Sequence, residues 1–133
     1  WGVIHGVRSF VPLILATGEE GHVVNTASLA AVNIISRLAP YTASKHAVLG
    51  ISDVLRLDLA EVGAAVGVSV LMPGRINSRM NPIAERPASV VADNVIDAIR
   101  RDRHYVYTDD ESAAEIAGRM AAIVTARAEV VGS

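Results

Sequence analysis

The chain opens with apolar residues at every third or fourth position, the spacing of an amphipathic helix. The residues that carry this pattern are Val3, Ile4, Val7, Phe10, Val11, Ile14 and Leu15. They predict a helix over residues 1–16, and because they occupy more than one of its faces, we expect that helix to be buried on two sides. A short β-branched run over residues 22–27 follows and predicts a buried strand.

Helical and extended patterns alternate along the middle of the chain. They predict a helix over residues 41–62, a strand over 66–72, a helix over 88–101 and a strand over 104–107. Because parallel strands are joined by right-handed crossovers, the strands are expected to lie side by side in one parallel sheet with helices on both faces. The fold class is therefore α/β, a doubly wound sheet in three αβα layers.

The last helix is predicted to begin at a capping box formed by Thr108 and Glu111, which have the spacing for reciprocal capping of backbone groups. Its apolar residues are expected to face the core, and they are Ile116, Met120, Ile123 and Val124. Before the preceding helix, residues 75–87 are polar and contain two prolines, so they are predicted to form a loop.

Composition narrows the class of protein. The 133 residues are 51% hydrophobic and 20% charged, which is typical of a folded chain and fits one domain. Twelve basic and fourteen acidic residues give a net charge of −2, so nucleic acid and anionic membranes are disfavoured as partners. The chain has no cysteine and no apolar run of the roughly 18–20 residues that a membrane span needs. We therefore expect a cytoplasmic protein.

No metal site is predicted from the sequence. The four histidines, His5, His22, His46 and His104, lie on different predicted elements. Their spacing is not that of metal ligands, and the absence of cysteine removes thiolate ligands, so structural or surface roles are favoured for all four.

A tyrosine and a lysine near the start of the second helix are the first candidates for chemistry. Tyr41 and Lys45 are four residues apart and therefore lie on the same face of a helix. A free phenol keeps its proton at neutral pH, but a neighbouring ammonium stabilises the phenolate and makes proton exchange possible. Lys45 is the only lysine among the twelve basic residues, and a guanidinium does not replace a compact ammonium. An ordinary surface pair is the alternative.

Further polar features follow the ends of two predicted strands. Ser28 comes directly after the first strand, Pro73 and Gly74 end the second, and Ser78 follows in the loop. Each feature alone fits an ordinary turn. Because open parallel sheets bind ligands at the carboxyl ends of their strands, the features together predict a site at that edge of the sheet.

These residues resemble the motifs of the C-terminal half of the classical short-chain dehydrogenase/reductase family. The run from Tyr41 to Lys45 resembles its Tyr-x-x-x-Lys motif, and Ser28 lies thirteen residues before Tyr41, where that family has its catalytic serine. Pro73-Gly74 resembles its Pro-Gly turn, and Ser78 resembles a residue contacting the nicotinamide amide, where threonine is more usual. The resemblance runs from residue 1 to about residue 108 and implies a Rossmann-like fold.

The resemblance implies a hydride transfer between NAD or NADP and a small carbonyl or alcohol substrate. The implied catalytic residues are Ser28, which would hydrogen-bond the reacting oxygen, Tyr41, which would exchange a proton with it, and Lys45, which would assist Tyr41. The implied cofactor-binding residues are Tyr41, Lys45, Pro73, Gly74 and Ser78.

The resemblance also implies that the Gly-rich, pyrophosphate-binding half and the catalytic asparagine of the family lie outside these 133 residues. The chain would then be the catalytic half of one domain, over residues 1–133, and would bind a dinucleotide poorly by itself. Apolar residues on several faces of two long helices predict a homodimer or homotetramer. An alternative of another class is a truncated, inactive product that acts only through association of those helices.

Overall fold

The computed structural model describes residues 1–79, 81–108, 110 and 112–131. Its elements are helix α1 (Gly2–Thr17), strand β1 (Gly21–Thr26), helix α2 (Ala39–Glu61), strand β2 (Val66–Met72), helix α3 (Ala88–Arg100), strand β3 (Tyr105–Tyr107) and helix α4 (Ala113–Val131). Elements α1 to β3 confirm the predicted ones to within two residues at each end. The largest shift is the early start of α2, where Pro40 occupies the first turn and needs no hydrogen-bond acceptor.

The three strands form one parallel sheet in the order β1-β2-β3. β1 pairs with β2 along its whole length, from Gly21 opposite Val66 to Thr26 opposite Leu71. β3 pairs with the last three residues of β2. The predicted parallel α/β fold is therefore confirmed, and the carboxyl ends of all three strands lie at one edge of the sheet.

The core has a layer on each face of the sheet because alternate residues of β2 point to opposite sides. Val68 and Val70 are fully buried on the face that α1 and α2 cover. Leu71 points to the other face, where it packs with Ala98 of α3 and Val106 of β3. Helices cover both faces, as the doubly wound pattern predicts.

Helix α1 is buried on one side only, so the prediction that it is buried on two sides is wrong for this chain. Val11 is its buried residue, whereas Phe10 and Leu13 are each 64% exposed. β1 is the edge strand of the sheet, and no element of the described chain covers the far side of α1. None of the helices in the described ranges combines the length and apolar character needed to cross a membrane.

Helix α4 departs most from the prediction. It begins at Ala113 rather than directly after Thr108, and the Thr108 hydroxyl accepts a hydrogen bond from the Gly74 N–H. The predicted capping partner, Glu111, lies outside the described residues. Ile116 packs against the core as expected. The other three residues expected to face inwards are 40–68% exposed, and they are Met120, Ile123 and Val124.

The exposure of these residues follows from the place of α4. Its first two turns meet the core at the carboxyl edge of the sheet, through Ile116 and Arg119. The later turns do not run along a face of the sheet, so their apolar side chains stay in contact with solvent. The helical pattern predicted the element correctly, but the prediction that its apolar face packs against the core is wrong beyond Ile116.

Candidate active site

A pocket of about 270 Å³ opens at the carboxyl edge of the sheet. Its walls come from the segment after β1, the start of α2, the turn after β2 and the residue before α4. Four residues predicted from the sequence line it together, and they are Ser28, Tyr41, Pro73 and Gly74. The convergence expected from the strand ends is therefore present for these four residues.

Ser28 is held at the pocket by a short 3-10 helix that spans Leu29–Ala31. Its Oγ accepts a hydrogen bond of 3.2 Å from the Ala30 N–H, so Ser28 caps this helix. A hydroxyl that accepts one bond still has a proton to donate, and Ser28 can therefore donate to an oxygen placed in the pocket. The Leu29 N–H also donates to the Pro73 carbonyl oxygen at 3.0 Å, which joins two walls of the pocket.

Tyr41 and Lys45 lie one turn apart at the start of α2. The Lys45 ammonium is 5.7 Å from the centre of the Tyr41 ring, and it donates a hydrogen bond of 3.3 Å to the carbonyl oxygen of Thr26. Tyr41 is 40% exposed and lines the pocket. Because an ammonium carries three N–H donors, Lys45 can bind a further acceptor beside the phenol while it holds the end of β1.

The Pro73-Gly74 turn is held in place by Thr108, at the end of β3. The Gly74 N–H donates a hydrogen bond of 3.1 Å to the Thr108 hydroxyl, and Thr108 is buried. The Arg86 guanidinium donates to the Thr108 carbonyl oxygen and so ties the loop of residues 75–87 to the same place. This role of Thr108 was not predicted from the sequence, although its position directly after a strand is the same signal that singled out Ser28.

Ser78 is not brought into the pocket. Its hydroxyl accepts a hydrogen bond of 3.3 Å from the Asn81 N–H, and the Ser78 N–H donates to the Asn81 carbonyl oxygen, within a local turn of the loop. A contact between Ser78 and a cofactor stays a prediction. Residues that the sequence did not suggest, Asn33, Arg75 and Ser112, line the pocket in addition.

The other two tyrosines lie away from the pocket. Tyr105 and Tyr107 lie on β3, and neither lines the pocket. Burial raises the pKa of Tyr107 above its usual range. Burial, and then the neighbouring Asp53 carboxylate, raise the pKa of Tyr105. Both phenols therefore hold their protons firmly, and Tyr41 is the tyrosine that lines the pocket.

A larger cavity of about 390 Å³ lies at the opposite edge of the sheet, at the amino ends of the strands. His22, Arg56 and Asp102 line it. Arg56 and Asp102 form an ion pair of 2.9 Å, and the His22 Nε2 is 2.8 Å from the Ser69 hydroxyl. The charges of Arg56 and Asp102 pair with each other there, whereas the smaller pocket offers hydroxyls, so we take the smaller pocket as the candidate site.

Comparison with protein families and curated proteins gives consistent matches. The family model described as short chain dehydrogenase matches residues 1–88. A 1-deoxy-11-beta-hydroxypentalenate dehydrogenase from Streptomyces avermitilis is 38% identical over 122 residues, which cover 84% of this chain and 44% of that protein. A C alpha-dehydrogenase from a Sphingobium species is 36% identical over 88 residues, covering 65% of this chain and 28% of that protein. The chain thus spans less than half the length of these relatives.

Solved structures show the same fold. A short-chain dehydrogenase/reductase from Burkholderia phymatum, in complex with NAD, matches with a TM-score of 0.86 and 29% identity, covering 93% of this chain and 55% of that one. A short chain dehydrogenase from Burkholderia cenocepacia, in complex with NADP, matches with a TM-score of 0.75 and 29% identity, covering 94% of this chain and 52% of that one. The chain corresponds to about half of each of these structures.

Proposed function

The chain belongs to the short-chain dehydrogenase/reductase family, and from this premise we propose that it is the catalytic half of an NAD- or NADP-dependent oxidoreductase. The substrate we propose is a small carbonyl compound or alcohol. One observation carries the proposal: Ser28, Tyr41 and the Pro73-Gly74 turn line a single pocket, with the Lys45 ammonium beside the Tyr41 ring.

Each of the three catalytic residues has a distinct task in this proposal. The Ser28 hydroxyl donates a hydrogen bond to the carbonyl oxygen of the substrate and orients it. Tyr41 gives its proton to that oxygen during reduction, or takes it back during oxidation, while the hydride moves to or from the adjacent carbon. Lys45 stabilises the phenolate that remains on Tyr41, because its positive charge lies close to the ring.

The donors in this part of the chain fit the nicotinamide end of a dinucleotide. Ser28 and Tyr41, which both carry hydroxyls, line the pocket. The Lys45 ammonium lies beside the Tyr41 ring, and only one of its three N–H donors is needed for the bond to Thr26. Tyr41 and Lys45 would hold the ribose hydroxyls, and Pro73 and Gly74 would border the nicotinamide. The cofactor, when bound, supplies or accepts the hydride. Two solved relatives, one bound to NAD and one to NADP, support either cofactor.

We propose further that Ser78 contacts the nicotinamide amide and that the protein is cytoplasmic. The division into domains belongs to the same proposal. Residues 1–133 would form the catalytic half of a single Rossmann-like domain, in agreement with the share of each relative that the chain covers. The pyrophosphate-binding half would come from residues outside this sequence. A dinucleotide would accordingly bind weakly to these residues alone.

We propose in addition that the protein forms a homodimer or homotetramer. Helix α2 exposes apolar side chains on its outer face, with Val54 55% and Leu57 69% exposed. Such a face is stabilised when a second copy covers it. Sedimentation is expected to show a dimer or tetramer, and a monodisperse monomer would contradict this part of the proposal.

The experiment that tests the function compares two tyrosine variants of the protein. The assay uses residues 1–133 together with the pyrophosphate-binding half that we propose, and it supplies NADH or NADPH with a panel of ketones and aldehydes. Tyr41→Phe is expected to lower the rate by at least about 100-fold, since it removes the proton donor. Tyr107→Phe is the matched control and is expected to keep the rate of the unmodified protein. Absence of coenzyme-dependent turnover in the unmodified protein, or normal turnover by Tyr41→Phe, would refute the proposal.

A further inference from the structure

A cation from the last helix reaches the segment that carries Ser28. The 3-10 helix Leu29–Ala31 has Ser28 as its N-cap and Val32 as its C-cap, and the Val32 carbonyl oxygen accepts a hydrogen bond of 2.9 Å from the Arg119 guanidinium. The two residues are 87 positions apart in the sequence. We propose that Arg119 is a positioning residue for Ser28, an inference that rests on the function proposed above.

The 3-10 helix has little to hold it by itself. It is three residues long, and its own bonds run from the Ala31 N–H to the Ser28 carbonyl oxygen at 2.9 Å and from the Val32 and Asn33 N–H groups to the Leu29 carbonyl oxygen at 3.0 and 2.8 Å. Helices of this type have poorer hydrogen-bond geometry than α-helices, and their last carbonyl groups have no partner within the helix. A guanidinium that binds the carbonyl after the last turn adds a charge-assisted hydrogen bond where the helix is weakest.

Packing keeps Arg119 in reach of that carbonyl. Ile116 lies three residues earlier on α4, on the same face of the helix, and packs against the core cluster that contains Ala31 and Val32. Ala30 and Ala31 are 0% and 1% exposed, so the 3-10 helix is enclosed by the core while α4 closes its end. An apolar contact and a polar contact from one face of α4 therefore hold the same short segment.

The geometry of this segment determines where the Ser28 hydroxyl points. Ser28 Oγ is fixed by its bond to the Ala30 N–H, which exists only while residues 29–31 keep the 3-10 conformation. Arg119 does not line the pocket, so its effect on the reaction passes through Val32 and the 3-10 helix. Loss of the guanidinium should therefore impair the step that Ser28 assists and leave coenzyme binding largely unchanged.

The first test compares three variants of α4. Arg119→Met is expected to lower kcat by about tenfold and to leave the KM for the coenzyme within about twofold of its original value. Arg119→Lys keeps a donor for the Val32 carbonyl and should recover most of the loss. Arg127→Met removes the same charge from an exposed position of α4 and should change neither constant. Equal effects of Arg119→Met and Arg127→Met would overturn the inference.

A double-mutant cycle separates positioning of Ser28 from general stability. If Arg119 acts through Ser28, then Arg119→Met should change kcat by less than about twofold in a protein that already carries Ser28→Ala. The same tenfold loss in both backgrounds would show that Arg119 acts by another route and would overturn the inference.

An amide-exchange measurement keeps the inference testable if the proposed function fails. Hydrogen exchange at the amides of Ala31 and Val32 should be faster in Arg119→Met than in Arg127→Met, because the end of the 3-10 helix is no longer held. Unchanged exchange at those two amides would overturn the inference whatever the activity. Absence of turnover together with faster exchange would refute the proposed function and leave the role of Arg119 in holding this segment intact.

Discussion

The Lys45 ammonium joins two parts of the fold at the candidate site. It lies 5.7 Å from the centre of the Tyr41 ring on α2, and it donates a hydrogen bond of 3.3 Å to the carbonyl oxygen of Thr26, the last residue of β1. The carbonyl oxygen fixes the cation where the strand ends, and the helix brings the phenol to it. The charge beside Tyr41 is therefore set by the fold as well as by the spacing of the motif.

Replacement of Lys45 should abolish most of the activity. Lys45→Met removes the charge that stabilises the Tyr41 phenolate, and we expect kcat/KM to fall by at least about 100-fold. Lys45→Arg should also be impaired, because a planar guanidinium cannot take the place of the compact ammonium at Thr26. Arg8→Met removes a charge from an exposed position of α1 and serves as the control. Normal kcat/KM in Lys45→Met would contradict the role given to Lys45.

The Thr108 hydroxyl should control the turn at Gly74. Thr108→Val keeps the shape of the side chain but leaves the Gly74 N–H without its acceptor, at a cost of about 1–3 kcal/mol if that N–H stays buried. We expect the KM for the coenzyme to rise several-fold, with a smaller change in kcat. Thr108→Ser retains the hydroxyl and should stay close to the original protein. A coenzyme KM that is unchanged in Thr108→Val would contradict this role.

Two glycines should respond to alanine in opposite ways. A Cβ at Gly67 would lie 2.5 Å from the Asp102 Oδ1 and closer still to the His22 ring, and both side chains are held by other hydrogen bonds. We expect Gly67→Ala to lower the free energy of unfolding by about 1–3 kcal/mol. At Gly50, inside α2, a Cβ would meet nothing within 4 Å. Gly50→Ala should therefore raise the free energy of unfolding by about 0.5–1 kcal/mol.

Denaturant unfolding of the two glycine variants measures both changes. The comparison is internal, since both variants add one methyl group to the same chain. Equal stability of Gly67→Ala and Gly50→Ala would mean that the space beside Gly67 is not closed by His22 and Asp102.

Protonation of His22 should destabilise the fold at acid pH. Burial lowers the pKa of His22 below its ordinary value of 6.5, against an opposing effect of the Asp102 carboxylate. The Ser69 hydroxyl donates to the Arg103 carbonyl oxygen, so it accepts from the His22 Nε2, and an added proton has to enter on the other nitrogen, near Gly67. The folded protein binds this proton more weakly than the unfolded chain does.

Because the unfolded chain takes up the proton first, the free energy of unfolding should fall as the pH drops below 6.5, until His22 is protonated in the folded protein as well. Above 6.5 the contribution of His22 should be constant. Unfolding curves across this range, for the original protein and for His22→Gln, isolate the effect. An identical pH dependence in both proteins would show that His22 does not cause it.

The sequence predicted those parts of the site that depend on local spacing. Tyr41 and Lys45 are one helical turn apart, and Ser28 and Gly74 follow strands whose carboxyl ends share an edge, so periodicity and topology were enough to bring them near one another. Arg119 could not be assigned in this way, and Thr108, although it follows a strand as Ser28 does, was interpreted from its local spacing as a helix cap. Their partners are 87 and 34 residues away, and those contacts exist only in the folded chain.

The wrong predictions have the same origin. α4 begins at Ala113 rather than directly after Thr108, and the Thr108 hydroxyl accepts a hydrogen bond from the Gly74 N–H that local spacing does not show. The second apolar face of α1 and the apolar residues of α4 beyond Ile116 are exposed, since periodicity shows that a face is apolar without showing what covers it.

The most direct test of the redox site follows the hydride itself. The protein is supplied with a reduced nicotinamide coenzyme that carries deuterium on its hydride-donating carbon, together with a ketone that it turns over. The alcohol formed should carry deuterium on the former carbonyl carbon, and Tyr41→Phe should form almost none of it. An alcohol without deuterium, or labelled alcohol formed at the original rate by Tyr41→Phe, would contradict the account.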